Sequence, residues 1–175
     1  VVTDGGTLQA GTSGDLTYDI LVGVSGSLGG NGTVIGDVSV VDGTISPGAS
    51  PGTLTVDGNM YVDPYFSTYL DPSTMYFEFA GTGAGEFDAI DVSGQFTIVS
   101  PIVAFDFSYA PVTGDSFEIV KAAGGIDNSS EDVAIILTGL DLTTGFDFEV
   151  VKTGDGAESY VFNVLGSARL GDGIW

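Results

Sequence analysis

A short motif of glycine, threonine and an apolar residue recurs through the first third of the chain. It occurs four times, as Gly6-Thr7-Leu8, Gly32-Thr33-Val34, Gly43-Thr44-Ile45 and Gly52-Thr53-Leu54. Apolar and polar residues alternate after these glycines, and a period of two residues is typical of β-strands. Glycine adopts the turn conformations that other residues avoid, so short strands can follow one another closely. Because short strands cannot bury a face alone, the motif predicts strands that stack on neighbouring repeats.

The stretch from Gly43 to Asn59 reads GTISPGASPGTLTVDGN and resembles the autotransporter-associated β-strand repeat of exported bacterial passenger domains. The resemblance is strongest over residues 26–60. It implies right-handed parallel β-helix rungs and a secreted protein on the outer cell surface of a Gram-negative bacterium. Neither a C-terminal translocator barrel nor an apolar sorting tail with basic residues is recognisable. The chain begins at Val1 without a signal peptide, which predicts a processed product or a fragment.

The composition of the chain changes near residue 62. All 11 phenylalanines follow this point, whereas 14 of the 28 glycines precede it. The later apolar residues alternate in longer runs, which are typical of strands with one wet face. We therefore predict an all-β fold, with a Gly-rich β-solenoid region at residues 1–62. It merges into an aromatic-rich β-sandwich or β-solenoid layer at residues 63–175, and one continuous domain is the alternative.

The charge of the chain excludes several classes of partner. The sequence holds 24 acidic residues against 3 basic ones, which gives a formal net charge of −21. A field of this sign repels phosphate backbones and anionic lipids, so we expect no nucleic-acid partner. No apolar run approaches the roughly 18 residues that span a bilayer, so we expect no membrane insertion. The acidic residues either keep the protein soluble by repulsion or bind Ca²⁺, which prefers oxygen ligands.

The residue types available for catalysis are few. The chain has no histidine and no cysteine, so Ser–His and Cys–His nucleophiles and most zinc sites are excluded. Two carboxylates suffice for glycoside hydrolysis, and the candidate pairs are Asp88 with Asp91 and Glu131 with Asp132. With 24 acidic residues, however, close pairs arise by chance, and neither pair lies in a recognisable motif. We therefore predict that the protein is not an enzyme and holds no cofactor other than a possible metal ion.

Two acidic segments are candidate Ca²⁺ sites. The first segment contains Asp127, Asn128, Glu131 and Asp132, which are close in sequence and carry side-chain oxygens. The second segment contains Asp88 and Asp91. Neither segment has the spacing of an EF-hand loop or of a calcium-binding nonapeptide. The alternative for both segments is an acidic surface exposed to solvent.

The ends of the chain are apolar and strand-like, and they contain our candidate assembly residues, Val1, Val2, Leu170, Ile174 and Trp175. An unpaired strand edge templates pairing with another chain, so a terminal strand that completes the next subunit's sheet would build a homopolymer. Pairing of both termini within their own subunit is the alternative.

The leading functional prediction is a structural subunit of an extracellular matrix or surface filament. An adhesin stalk that binds a host or glycan partner comes second, and a carbohydrate-active or Ca²⁺-binding surface protein comes third.

Overall fold

The structure is a computed structural model that describes residues 2–3, 5–11, 15–48, 51–62, 72–128 and 133–170. Within these ranges the regular structure is β-strand, apart from one 3-10 helix at Leu142–Thr144. The Asp141 carboxylate caps this helix by accepting a hydrogen bond from the Thr143 backbone N–H. No helix in the described part of the chain has the length and apolar character needed to cross a membrane. The prediction of an all-β fold is confirmed.

Three six-stranded sheets contain most of the strands, and the strands of each sheet follow one another in space in the order named. Sheet 1 contains β1 (Val2–Thr3), β3 (Ile20–Val22), β6 (Val38–Val40), β9 (Met60–Val62), β12 (Phe96–Ile98) and β15 (Ile126–Asn128). Sheet 2 contains β2 (Thr7–Ala10), β4 (Ser27–Gly30), β7 (Thr44–Pro47), β10 (Thr74–Phe79), β13 (Ile102–Phe107) and β16 (Ala134–Thr138). Sheet 3 contains β5 (Thr33–Ile35), β8 (Thr53–Asp57), β11 (Ala89–Val92), β14 (Ser116–Ala122), β19 (Ala157–Gly166) and β18 (Asp147–Asp155). A separate antiparallel pair joins β17 (Leu140–Asp141) to β20 (Arg169–Leu170).

The chain visits the three sheets in a repeating order. It passes from sheet 2 to sheet 3 to sheet 1 and then returns to sheet 2, and we call each such passage a round. Strands of successive rounds pair in parallel in all three sheets. The exception is the hairpin formed by β18 and β19, in which β19 runs antiparallel to both β14 and β18. The four occurrences of the Gly-Thr-apolar motif lie at β2 and β7 of sheet 2 and at β5 and β8 of sheet 3.

Side chains alternate between the interior and the surface along the strands, as the sequence pattern predicts. In β10 and β13 every second residue is buried, and the buried ones include Phe77, Phe79, Phe105 and Phe107. All the buried apolar residues belong to one cluster, which holds residues from both sides of residue 62. Strands from both sides of this residue also share each of the three sheets.

The rounds become longer along the chain, and the interior side chains become larger with them. Ser27 pairs with Thr44, 17 residues later, whereas Thr74 pairs with Ile102, 28 residues later. A longer round encloses a wider cross-section, which small aliphatic side chains cannot fill at the packing density of a protein interior. The phenylalanines fill this wider section as a contact network of rings; Phe79 and Phe107, for example, stack with centroids 4.7 Å apart. The change of composition near residue 62 therefore coincides with a change in round length.

One corner between sheets 3 and 1 carries a ladder of hydrogen bonds from side chain to backbone. The Asp37 backbone N–H donates to Asp19 Oδ1 (2.9 Å), the Asn59 N–H to Asp37 Oδ1 (2.7 Å), and the Gln95 N–H to Asn59 Oδ1 (2.9 Å). Each acidic or amide side chain thus satisfies a backbone donor of the next round. Gly58 precedes Asn59 at this corner, and a Cβ there would lie 2.3 Å from the Gly36 carbonyl oxygen. The rounds therefore approach too closely at position 58 for any residue larger than glycine.

Candidate functional site

The two ends of the stack of sheets are the candidate functional surfaces. At one end the outermost strands are β1, β2 and β5, and at the other they are β15, β16 and β18. Among the described residues, each of these strands is paired with one neighbouring strand only, and β5 also meets Leu16 through an isolated bridge at Val34. Unpaired N–H and C=O groups on an edge strand are a template for another strand, and natural proteins usually blunt such edges with lysine or proline.

Strand β16 is the longest of the edge strands that contain no charged residue. Its sequence is Ala-Ile-Ile-Leu-Thr, and it contains no charged residue, proline or glycine. Ile135 and Ile136 lie on opposite faces of the strand and are 41% and 47% exposed. Ala134 donates its backbone N–H to Pro101 of the preceding round (3.2 Å). Because neighbouring N–H groups along a strand point to opposite sides, the N–H of Ile135 points to the free edge.

Strand β2 is the matching edge at the other end of sheet 2. It also lacks charged residues, since it reads Thr-Leu-Gln-Ala. Leu8 pairs in register with the fully buried Leu28, so Leu8 and Ala10 face the interior while Thr7 and Gln9 face outward. In β16 the interior positions are Ile135 and Leu137, which pair with Val103 and Phe105. In each of these two edge strands, therefore, two apolar side chains face the interior and the residues beside them face outward.

The hairpin of β18 and β19 covers part of the second end. Phe148 of β18 stacks on Phe162 of β19 with ring centroids 5.0 Å apart, and Phe162 is fully buried. Lys152 Nζ lies 3.2 Å from Glu158 Oε1 and also donates to the Ile126 carbonyl oxygen (3.2 Å). The Glu158 carboxylate accepts the Ile126 backbone N–H, and this bond lowers the pKa of Glu158. The hairpin is thus tied to sheet 1 through Ile126, while the free edge of β16 stays unpaired among the described residues.

The predicted terminal strands have different places in the structure. Val2 belongs to β1, which pairs in parallel with β3 at the outer edge of sheet 1. Leu170 belongs to β20 and pairs in antiparallel with Leu140 of β17, and these two strands form a sheet of their own. Val1, Ile174 and Trp175 lie outside the described residues. The assembly role of these residues stays a prediction.

Asp88 is a buried carboxylate that joins two rounds. It has no exposed surface, its Oδ1 accepts the Gly52 backbone N–H (2.8 Å), and its Oδ2 accepts the Glu78 N–H (2.9 Å). Burial raises the pKa of Asp88 to about 6, and the two backbone hydrogen bonds oppose this rise. Gly48 makes room for the carboxylate, because a Cβ at Gly48 would lie 2.4 Å from Asp88 Oδ1. Gly48 and Gly52, on either side of the Ala-Ser-Pro sequence, therefore both contact the carboxylate.

The structure separates the predicted Ca²⁺ ligands of the second segment. Asp88 is buried, and Asp91 is exposed on the outer face of β11. In the first segment, Asp127 and Asn128 are exposed at the end of β15, and Glu131 and Asp132 lie outside the described residues. Among the described residues, no three histidine, cysteine or acidic side chains lie close enough together to hold a metal ion.

Comparison with known proteins assigns no family to the chain. A scan against protein-family models finds no match, and a search of the curated proteins finds no significant relative. The resemblance to autotransporter-associated repeats therefore stays a prediction.

Two features of the structure are not predicted by the sequence pattern. The pattern predicts a strand near residues 133–137, and β16 confirms it, but its position at an edge does not follow from the pattern. Two apolar faces and the absence of lysine are equally typical of a strand that is buried between two neighbours, so the sequence carries no signal for this edge. The role of Asp88 as an interior acceptor has no such signal in a chain with 24 acidic residues, because burial depends on long-range pairing.

Proposed function

We propose that this chain is an extracellular structural protein, a subunit of a surface or matrix filament that assembles through β-strand contacts between copies. In this proposal the repeating rounds form a β-helix of the kind that the resemblance implies, and the protein is exported to the cell surface of a Gram-negative bacterium. The observation that carries the proposal is the pair of uncharged strands β2 and β16 at opposite edges of sheet 2. The proposal includes no catalytic role.

The geometry of sheet 2 supports head-to-tail assembly. All pairs within this sheet are parallel, so β2 of a second copy laid on β16 continues the sheet in the same sense. Leu8 and Ala10 of the incoming copy then cover Ile135 and Leu137, and the outward residues stay in solvent. Such a contact joins two different surfaces, and a contact of this type that does not close into a ring generates a filament.

Electrostatic repulsion opposes assembly and makes it dependent on salt. Each copy carries a formal charge of −21, but β2 and β16 themselves carry none. Screening shortens the range of repulsion to about 10 Å at 0.1 M ionic strength and about 3 Å at 1 M. We therefore expect longer assemblies at higher ionic strength.

The test is electron microscopy combined with sedimentation velocity over a range of protein and NaCl concentrations. The informative variant is Ile136→Lys, which puts on β16 the residue with which natural edge strands are protected against pairing with another strand. Leu165→Lys is its matched control, because Leu165 is 48% exposed, close to the 47% of Ile136, and lies on β19 within sheet 3. We expect filaments from the unmodified protein and from Leu165→Lys, and monomers from Ile136→Lys.

A protein that stays monomeric at high salt contradicts the filament and favours the second candidate function, a stalk of an adhesin. Filaments that persist in Ile136→Lys show that assembly uses another surface.

A further inference from the structure

An apolar cavity lies inside the stack, close to the end that carries β16. Its volume is about 220 Å³, and side chains from all three sheets and from the hairpin line it. The floor contains Met75, Phe77, Phe96, Phe105 and Val120, each of which is at most 1% exposed. Buried apolar side chains therefore close the inner end of the cavity, and its outer end is open.

The mouth of the cavity carries the polar side chains of its lining. It is formed by Val133 and Ile135, which are exposed, together with Asn128, Val150 and Tyr160. Neither the Asn128 amide nor the Tyr160 hydroxyl makes a hydrogen bond with another described residue. A molecule in the cavity would thus meet hydrocarbon on all sides and one or two hydrogen-bonding groups at its outer end.

The size and lining of the cavity decide what can occupy it. Empty apolar volume costs folding stability in proportion to its size. Closed apolar cavities of about 150 Å³ bind benzene or xenon, so this open cavity of about 220 Å³ has room for a small ring compound. The described side chains around the cavity leave this volume unfilled.

Charge excludes anionic occupants. Asp127 and Glu158 lie near enough to Tyr160 to act on its hydroxyl electrostatically, and burial together with these two carboxylates raises the Tyr160 pKa. The chain as a whole carries a formal charge of −21. A fatty acid or another apolar carboxylate would meet this negative field at the mouth, whereas a neutral molecule would not.

We propose that this cavity is a binding site for a neutral, apolar small molecule of one or two rings, with a single hydrogen-bonding group placed at Asn128 and Tyr160. Ile135 belongs both to the mouth of this site and to the face of β16 that an incoming copy would cover, whereas the outward side chain of Ile136 does not line the cavity. Binding can therefore be measured on the Ile136→Lys variant as well as on the unmodified chain, so failure of the filament proposal leaves this one testable.

The test uses 2-naphthol as the probe and 2-naphthoate as its anionic counterpart, with calorimetric titration and thermal melting as the two measurements. We expect 2-naphthol to bind with a stoichiometry of one and to raise the melting temperature, and 2-naphthoate to bind at least ten-fold more weakly. Equal binding of the two probes, or no binding of 2-naphthol, overturns the proposal.

Three variants locate the site. Val150→Phe fills the cavity from β18, so it should abolish binding and raise the melting temperature of the free protein. Val133→Asp puts a charge at the mouth and should weaken 2-naphthol binding at least ten-fold. Val112→Asp is the matched control, because Val112 is 55% exposed and does not line the cavity, and it should bind like the unmodified chain. Undiminished binding in both Val150→Phe and Val133→Asp places the probe elsewhere and overturns the proposal.

Discussion

At the scale of single residues, Asp88 links the Pro-Gly-rich segment of one round to a strand of the next. Its two oxygens accept backbone N–H groups of Gly52 and Glu78, which belong to different rounds. A buried carboxylate is unfavourable unless its oxygens are hydrogen-bonded, and a buried N–H without an acceptor costs about 1–3 kcal/mol. The carboxylate and the two donors are therefore stable only together.

The first prediction concerns the pH dependence that Asp88 confers. Its pKa rises from the ordinary 3.8 to about 6 on folding, so between these values the folded protein binds a proton that the unfolded chain does not. Binding of this proton stabilises the fold fully below about pH 4, by about 2–3 kcal/mol, and the stabilisation is lost as the pH rises through about 6. Asp88→Asn should remove this pH dependence. Urea unfolding of both proteins at a series of pH values is the measurement.

The comparison of the two proteins isolates Asp88 from the other carboxylates. The free energy of unfolding of the unmodified protein should rise relative to that of Asp88→Asn as the pH falls from about 7 to about 4. A difference between the two proteins that stays constant over this range would show that Asp88 titrates normally.

The second prediction concerns Gly48. This residue has a φ of +83°, and a Cβ would lie 2.4 Å from Asp88 Oδ1, so Gly48→Ala adds a collision to the backbone strain. Gly85 has a φ of +78° with nothing within 4 Å of its Cβ position, so Gly85→Ala carries the strain alone. We expect Gly85→Ala to cost about 1–2 kcal/mol and Gly48→Ala about 1–3 kcal/mol more, measured by urea unfolding. Equal losses would mean that the Asp88 carboxylate and the Gly52 backbone N, which lies 2.6 Å from the same Cβ position, both move aside freely.

At the scale of the elements, the hairpin of β18 and β19 differs from the rounds because it is antiparallel. It extends sheet 3 beyond β14 and inserts Phe162 among the rings of the preceding rounds, with Phe105 at 4.9 Å in an edge-on arrangement. Edge-on and offset ring pairs contribute stability beyond that of buried area. Strand β16 has no such cover on its free edge among the described residues, and this contrast favours β16 as the assembly surface.

The third prediction tests the hairpin as part of the core. Phe162 is fully buried, whereas Phe146 packs at the rim against Phe107 and Phe148. Phe162→Ala should cost about 3–5 kcal/mol, the usual range for a buried ring, and Phe146→Ala clearly less. Thermal and urea unfolding measure both. Similar small losses in the two variants would mean that the hairpin detaches from the rounds below it.

At the scale of the whole molecule, the excess of acidic charge dominates the electrostatics. The acidic residues number 24 and the basic ones 3, so repulsion within one copy opposes folding just as repulsion between copies opposes assembly. Lys152 forms an ion pair with Glu158, and Arg169 acts electrostatically on Asp141. Salt therefore screens more repulsion than attraction in this protein.

The fourth prediction is that NaCl stabilises the protein. The melting temperature of the monomeric Ile136→Lys variant should rise as the ionic strength increases from about 0.01 M to about 1 M, because the Debye length falls from about 30 Å to about 3 Å. Differential scanning calorimetry is the measurement. A CaCl₂ series at matched ionic strength separates screening from a specific site at residues 127–132. A melting temperature that falls with NaCl would show that repulsion between carboxylates does not limit the stability of the fold.

The amino-acid sequence alone determined where strands and turns lie, because alternation and glycine positions are local properties. The alternation of Val103, Phe105 and Phe107 with Ala104 and Asp106 is visible in the sequence, and these three apolar residues form the buried face of β13. The recurring Gly-Thr-apolar motif predicted stacked repeats, and two of its glycines, Gly32 and Gly43, lie where rounds approach closely. Neither result needed knowledge of which strands are neighbours.

Only the tertiary structure decided which of these strands pair, which carboxylate is buried and where the edges and the cavity lie. Asp88 and Asp91 are three residues apart, yet one lies inside the fold and the other on its surface. Strands β16 and β13 are both rich in apolar residues, yet β13 is paired on both sides and, among the described residues, β16 on one. These differences arise from contacts between residues many positions apart, and the period of two along a strand carries no information about them.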